Sequence, residues 1–135
     1  MPIACGKYAG RVRLLPAAAN GPARAGAKHD WGADFGRSLS EKDLQWDVQL
    51  QPFLSEDTTR IEDASVNWPS PRTTLARLTL PRQDTQSQEG QALQKNAEAA
   101  SFDSWQALAA HQPLGDVQRA RKVVYFESQR GRRAV

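Results

Sequence analysis

The chain is poor in the two residue types that most often build disulfide or metal-bound frameworks. It contains one cysteine, Cys5, so an internal disulfide is excluded and a cysteine-rich metal site cannot form. Its two histidines, His29 and His111, lie far apart, without the short spacing that is typical of paired zinc-binding histidines. A zinc site is therefore not expected.

Long hydrophobic runs are also missing. The first seven residues lack the apolar stretch of a secretory signal peptide, and no segment approaches the length of a membrane-spanning helix. These absences favour a soluble cytoplasmic protein with no membrane partner. Hydrophobic residues make up 39% of the 135 residues, which predicts a thin core that needs a partner, a cofactor or further sequence for stability.

Three segments have the period-two pattern of β-strands: residues 7–15, 44–51 and 73–80. The pattern is clearest in the second, where large apolar residues alternate strictly with polar ones, which predicts one buried face and one wet face. Residues 34–43 are a weaker candidate for a short helix. Because no crossover helices separate the strands, the sequence predicts an antiparallel sheet and an α+β fold.

The C-terminal part of the chain has a different composition. Residues 83–100 are rich in Gln, Ser, Ala and Glu, which indicates a polar linker or a surface helix. Phe102, Trp105 and Leu108 then recur at a spacing of three, which predicts a short helix that ends near His111. Asp116 is a candidate N-cap for a last helix. The expected organisation is therefore strands over 1–82, a linker over 83–100 and a helical segment over 101–135.

The last helix carries the candidate site. Arg121, Tyr125 and Arg132 share one helical face, because they are separated by four and seven residues. A tyrosine that acts as an anion at neutral pH needs a nearby positive charge to lower its pKa, and a guanidinium one turn away supplies it. An arginine farther along the face suits a carboxylate.

Two other interpretations of this helix stay open at this point. Tyrosine on a basic helix is most often a packing residue among solvated arginines. The six basic residues between Arg119 and Arg133, opposed only by Glu127, also fit a helix that touches nucleic acid phosphates. The net charge of +3 is too small to favour nucleic acid by itself, and no aromatic platform accompanies the basic residues.

Several segments occur in the order found in one known family. They are Ile61–Pro69, Leu75–Pro81, Phe102–Trp105, His111–Gly115 and Arg119–Tyr125. Together they resemble the C-terminal part of the short, catalase-related haem proteins, over roughly residues 6–135. The similarity is most specific at Glu62–Trp68 and at Phe102–Tyr125.

The resemblance implies a haem b site. In the family, a tyrosine on a late helix is the proximal iron ligand, and an arginine four residues earlier hydrogen-bonds its phenolate. Tyr125 and Arg121 match these positions, and Arg132 falls where a further arginine lies near the haem. The implied activity is decomposition of hydrogen peroxide, or haem-dependent peroxidation with hydrogen peroxide or an organic peroxide as partner.

The resemblance also implies a closed antiparallel barrel followed by helices, of which this chain would supply the later strands. The family's distal histidine precedes this part of the barrel, so no catalytic residue is expected here, and His29 and His111 do not match it. A complementing N-terminal half or a homo-oligomer would then complete the protein. The alternatives are a truncated, non-enzymatic haem-binding protein and a basic interaction protein without haem.

Overall fold

The computed structural model describes residues 1–22, 24 and 28–132. The regular elements are four strands and three α-helices, in the order β1 (Pro2–Cys5), β2 (Tyr8–Pro16), α1 (Trp31–Glu41), β3 (Leu44–Pro52), β4 (Thr73–Leu80), α2 (Gln88–Ala99) and α3 (Asp116–Arg132). The strands form an open sheet in the order β1-β2-β3-β4. The predicted α+β class with an antiparallel sheet is therefore confirmed, whereas four strands in an open sheet do not identify a barrel.

The chain divides into two compact units. The first comprises Met1–Arg13, Gln49–Leu75 and the chain from Ala99 onward, and the second comprises Leu14–Val48 and Ala76–Glu98. The candidate site on α3 lies in the first unit. None of the described helices is both long and apolar enough to cross a membrane.

In the first unit, β1 and β2 form an antiparallel hairpin that the sequence did not predict. Cys5 pairs with Tyr8 across a turn in which Gly6 adopts a φ of 62°, a conformation that costs glycine little. Residues 110–114 run along the other edge of β1, where the amide of Ala4 donates to the carbonyl of Gln112 at 2.8 Å. A four-residue strand is too short for its alternation to be recognised.

The core of the first unit forms around Trp68. The Arg11 guanidinium lies 4.1 Å from the centroid of the Trp68 ring, and the Phe53 ring meets it edge-on at 6.1 Å. Gln51 is buried beside it and donates from Nε2 to the carbonyls of Trp68 and Ser70, both at 2.8 Å. These bonds fix the loop that follows β3.

In the second unit, α1 packs against β3 through apolar side chains. Leu39 and Leu44 are buried, and the rings of Phe35 and Trp46 lie 6.2 Å apart. Asp30 caps α1 by accepting from the amide of Ala33. The predicted helix over 34–43 is confirmed and begins one turn earlier than expected.

The strand prediction for β3 is right in position and wrong about its faces. Polar and apolar residues of β3 are equally half-buried, and Gln51 is fully buried. The polar side chains are covered because they bind neighbouring side chains: Asp47 pairs with Arg77 at 2.9 Å, and Gln49 accepts from Arg13 at 2.8 Å. A wet face is therefore absent from this strand.

The predicted helix over Phe102, Trp105 and Leu108 does not form. Trp105 lies in a turn, Phe102 and Leu108 lie in irregular backbone on either side of it, and a single 3-10 turn follows at Ala109–His111. The Asp103 side chain accepts from the amide of Trp105 at 2.9 Å, a local bond that competes with helix formation. By contrast, Gln88–Ala99 forms a surface helix with no buried residue, which was one of the two structures predicted there.

Candidate functional site around Tyr125

The start of α3 is fixed by the loop that carries Glu62. The Glu62 carboxylate accepts from the amide of Asp116 at 2.5 Å and from the Arg119 guanidinium at 2.9 Å. Glu62 thereby satisfies a free amide of the first turn, where a negative charge is also favoured by the helix dipole. Asp116 was predicted to be the N-cap, but it is the first residue of α3 and its carboxylate binds Arg119 instead.

Gly115 allows the chain to turn into α3 beside this loop. Its φ is 95°, in the region that other residues rarely adopt. A Cβ at this position would stand 3.5 Å from the carbonyl oxygen of Ile61, which is an ordinary contact. Glycine is therefore favoured here by backbone conformation and not by lack of space.

The inner face of α3 is anchored at two positions that flank Tyr125, by the side chain of Gln129 and by the backbone of Gln118. Gln129 donates from Nε2 to the carbonyl of Phe102 at 2.8 Å and accepts from the Ser101 hydroxyl at 2.8 Å. Near the other end, the carbonyl of Gln118 accepts from the Trp105 indole at 3.0 Å. Tyr125 lies between these anchors, so its ring faces the segment over 101–106 and is half-buried.

A cavity of about 460 Å³ opens between α3 and this segment. Four residues of α3 line it, Tyr125, Ser128, Gln129 and Arg132, and the opposite wall is formed by Ser101, Phe102, Asp103, Ser104 and Gln106. The Phe102 side chain is 61% exposed. The cavity thus combines one phenol, one guanidinium and one accessible aromatic ring with hydroxyl, amide and carboxylate groups.

The structure places two of the three predicted site residues in this cavity. Tyr125 and Arg132 both line it, whereas Arg121 does not. Arg121 is half-buried on the same helix and acts at a distance on the N-terminal amine, whose pKa is lowered first by burial and then by the charges of Arg11 and Arg121. Arg121 and Tyr125 make no hydrogen bond with each other.

Charge near the site is concentrated at the start of α3. The pKa of Arg119 is raised, first by its hydrogen bond to Asp116 and then by that to Glu62. In the same loop, the hydroxyl and then the amide of Ser65 lower the pKa of Asp63 by donating to its carboxylate. These groups hold the loop and the helix together and do not line the Tyr125 cavity.

Neither histidine belongs to the cavity lining. His111 is exposed, and its Nδ1 lies 3.4 Å from the carbonyl of Ala4. His29 is exposed in the second unit. Across residues 1–22, 24 and 28–132, no group of three or more His, Cys, Asp or Glu side chains is arranged to hold a metal ion.

Sequence reasoning missed Gln129, whose side chain anchors the face of α3 that carries Tyr125. The apolar residues Val117 and Val124 do not mark that face, because they are 55% and 61% exposed. The available signal was the spacing of Gln118, Tyr125 and Gln129, at intervals of seven and four, which places them on one face. Glutamine is usually exposed, so a pattern based on hydropathy does not detect that face.

No protein-family model matches the chain, and neither does any curated protein or solved structure.

Proposed function

We propose that Tyr125 would hold the iron of ferric haem and that this chain would supply the residues on the proximal side of a catalase-type haem site. The observation that supports this best is the position of Tyr125 and Arg132 in one cavity. Two residues singled out by their spacing, and by the likeness to catalase-related proteins, therefore share a surface that a ligand can reach.

The residues of the cavity fit one face of haem b. Tyr125 offers a phenolic oxygen, the donor that catalases use towards ferric iron. Arg132 offers a guanidinium suited to a propionate carboxylate, and the exposed Phe102 ring offers an apolar contact for a porphyrin. The cavity volume of about 460 Å³ lies within the range of small-molecule sites, roughly 300–1,000 Å³.

The proposal also gives a role to the segments that resemble the family. Ile61 and Glu62, from one of these segments, contact Gly115, Asp116 and Arg119, from two others. The contacts fix the start of the helix that carries Tyr125. The open sheet would then be the later part of a larger barrel, whose other strands come from a complementing polypeptide or a second copy.

When bound, haem supplies the redox-active iron at which peroxides react. The chain's own residues would bind and orient it: Tyr125 would hold the iron through its phenolic oxygen, and Arg132 would bind a propionate carboxylate. By the likeness to catalase-related proteins, Arg121 would support the ligand from one turn before it, although it does not line the cavity. The lining contains no histidine, the base that the family uses on the distal side of the haem, so we expect little peroxide decomposition by this chain alone.

The two tyrosines of the chain allow a matched test. Tyr125 is half-buried in the cavity, and Tyr8 is 69% exposed in the hairpin of β1 and β2. Titration with hemin should give a high-spin ferric spectrum with a tyrosinate-to-iron charge-transfer band. We expect this band to persist in Tyr8→Phe and to disappear in Tyr125→Phe. Identical spectra for wild type and Tyr125→Phe would refute the ligand assignment.

The role of Arg132 is tested in the same titration. Arg132→Gln leaves a polar but shorter side chain and removes its charge. We expect weaker hemin binding, by about tenfold, because a charge-assisted hydrogen bond to a propionate is lost. Arg130→Gln is the control, because Arg130 lies on a different face of α3 from Arg132 and does not line the cavity. It should leave the affinity for hemin unchanged. Equal affinities for all three proteins would exclude the proposed contact.

A further inference from the structure

The two edges of the sheet differ in how they are covered. The β1 edge is paired with residues 110–114, through backbone hydrogen bonds such as that from the amide of Gly6 to the carbonyl of Ala110 at 2.9 Å. The other edge is β4, whose residues are all exposed except the half-buried Leu80. Within residues 1–22, 24 and 28–132, no further strand pairs with β4. Its outer row of amides and carbonyls is therefore open to a partner strand.

The open strand β4 lacks the features that usually protect a sheet edge. Such edges are normally short, or carry proline, lysine or a bulge that prevents pairing with a second chain. β4 is eight residues long and contains no proline, glycine or lysine. Its one charged side chain, Arg77, is bound to the Asp47 carboxylate at 2.9 Å. Leu75 and Leu78, on opposite faces, are 62% and 42% exposed, so a partner strand would cover apolar surface on both faces.

The sequence around β4 suits pairing with a second copy of itself. Ala76 stands five residues after Pro71 and five residues before Pro81, so the two prolines bracket the strand symmetrically. Because proline lacks an amide N–H, these residues set the limits of a new ladder. Two identical antiparallel strands overlap most between these limits when Ala76 lies on the two-fold axis, opposite Ala76 of the second copy.

This register places compatible side chains opposite each other. The opposed pairs on either side of the axis are Leu75 with Arg77, Thr74 with Leu78, and Thr73 with Thr79. An axis at Arg77 would instead place two guanidinium groups directly opposite each other, and like charges in that position are destabilising. Charge and strand overlap therefore favour the same axis, at Ala76.

We propose that the chain forms a symmetric dimer in which two copies of β4 pair antiparallel about a two-fold axis at Ala76. The two four-stranded sheets then become one continuous sheet. A single pair of strands is a small interface compared with the roughly 1,200–2,000 Å² of stable complexes. We therefore expect a dissociation constant in the micromolar range.

The test is sedimentation velocity of the full chain, without hemin, at a series of protein concentrations. We expect the wild type to shift from monomer to dimer as the concentration rises. Ala76→Lys should weaken the dimer by about fivefold, because two ammonium groups then face each other across the axis. Ala92→Lys is the control, since it adds the same charge at an exposed position of α2 and should associate as wild type does.

Mixing two charge variants tests the position of the axis. Ala76→Glu should also weaken the dimer, because two carboxylates then face each other. An equimolar mixture of Ala76→Lys and Ala76→Glu should associate more tightly than either variant alone, since opposite charges meet at the axis. The matching mixture of Ala92→Lys and Ala92→Glu should show no such gain. Circular dichroism checks that each variant is folded.

Three results would overturn the proposal. A wild type that sediments as a monomer at every concentration is the first. An unchanged affinity in folded Ala76→Lys is the second, because the dimer would then use another surface. A mixture of the two Ala76 variants that associates no better than its components is the third. The haem proposal stands apart from these outcomes, because the spectrum of Tyr125→Phe is a separate measurement.

Discussion

The two units differ in the kind of side chain that is buried inside each of them. In the second unit the buried residues are apolar: Ala17, Leu39 and Leu44. In the first unit Trp68 is accompanied by buried polar side chains that have hydrogen-bond partners, Gln51, Thr59, Ser70 and Gln129. The Oε1 atom of Gln118 is the exception, because it is buried without a partner in the described part of the chain. An apolar core is selected mainly by shape and volume, whereas each buried polar group needs a specific partner. The contrast teaches that the unit with the catalase-like segments depends on particular hydrogen bonds.

The largest effect is expected in the apolar core. Leu44 is 4% exposed, so Leu44→Ala leaves a cavity as well as removing buried methyl groups. We expect a loss of about 3 kcal/mol in the free energy of unfolding, measured by urea denaturation. Leu93→Ala, at a position 53% exposed on α2, is the control and should change stability by less than about 0.5 kcal/mol. Equal effects of the two substitutions would show that Leu44 is not a core residue.

A somewhat smaller effect is expected from the polar core. Gln51→Leu introduces an apolar side chain of similar size and leaves the carbonyls of Trp68 and Ser70 without their donor. The expected loss is about 2 kcal/mol by the same measurement. Gln49→Leu, two residues earlier on the same strand, removes only exposed hydrogen bonds and should be nearly neutral. If Gln51→Leu raised the free energy of unfolding, the first unit would not depend on this buried hydrogen-bonded side chain as proposed.

The backbone before α3 gives a third test. Gly115→Ala forces alanine into a φ of 95°, which should cost about 1 kcal/mol or slightly more. Gly131→Ala is the matched control, because Gly131 lies within α3 and a Cβ there would meet nothing within 4 Å. It should be neutral or slightly stabilising. The measurement is the change in melting temperature of each variant. The proposed role of Gly115 requires Gly115→Ala to lower the melting temperature clearly more than Gly131→Ala does.

The smallest effect concerns a single titration. Ser65→Ala removes the hydroxyl that most strongly lowers the pKa of Asp63, so that pKa should rise towards its ordinary value in an NMR titration. A carboxyl with a lowered pKa in the folded state contributes stability that is present above its unfolded pKa. This stability is lost as the pH falls through the folded pKa. The variant should therefore show a weaker dependence of stability on pH in the acid range.

Thr58→Ala, which removes a hydroxyl contact with Ser55 elsewhere in the loop, is the control for this titration. It should leave the Asp63 curve in place. A Ser65→Ala curve identical to that of wild type would mean that the hydroxyl does not donate to Asp63 in solution.

The sequence predicted the elements whose patterns depend on local spacing. The three predicted strands correspond to β2, β3 and β4, and α3 begins at Asp116, where a helix start was expected. The hairpin strand β1 was missed because its four residues show no period. The helix over 102–111 was predicted wrongly because the spacing of Phe102, Trp105 and Leu108 is helical while the Asp103 turn is not.

The candidate site was predicted in part. Spacing placed Tyr125 and Arg132 on one face of α3, and both line the cavity. The opposite wall could not be predicted, because it is held by Gln129 through the carbonyl of Phe102, a contact between residues 27 positions apart. Hydropathy does not predict such pairings, because a glutamine side chain such as that of Gln129 can hydrogen-bond equally well to water.

The most direct measurement of the central claim is resonance Raman spectroscopy of the hemin-loaded protein, excited in the phenolate-to-iron charge-transfer band. The account predicts phenolate ring modes in the wild type and in Tyr8→Phe, and their loss in Tyr125→Phe. Phenolate modes that survive in Tyr125→Phe, or that are absent from the wild type when hemin is bound, would contradict coordination by Tyr125.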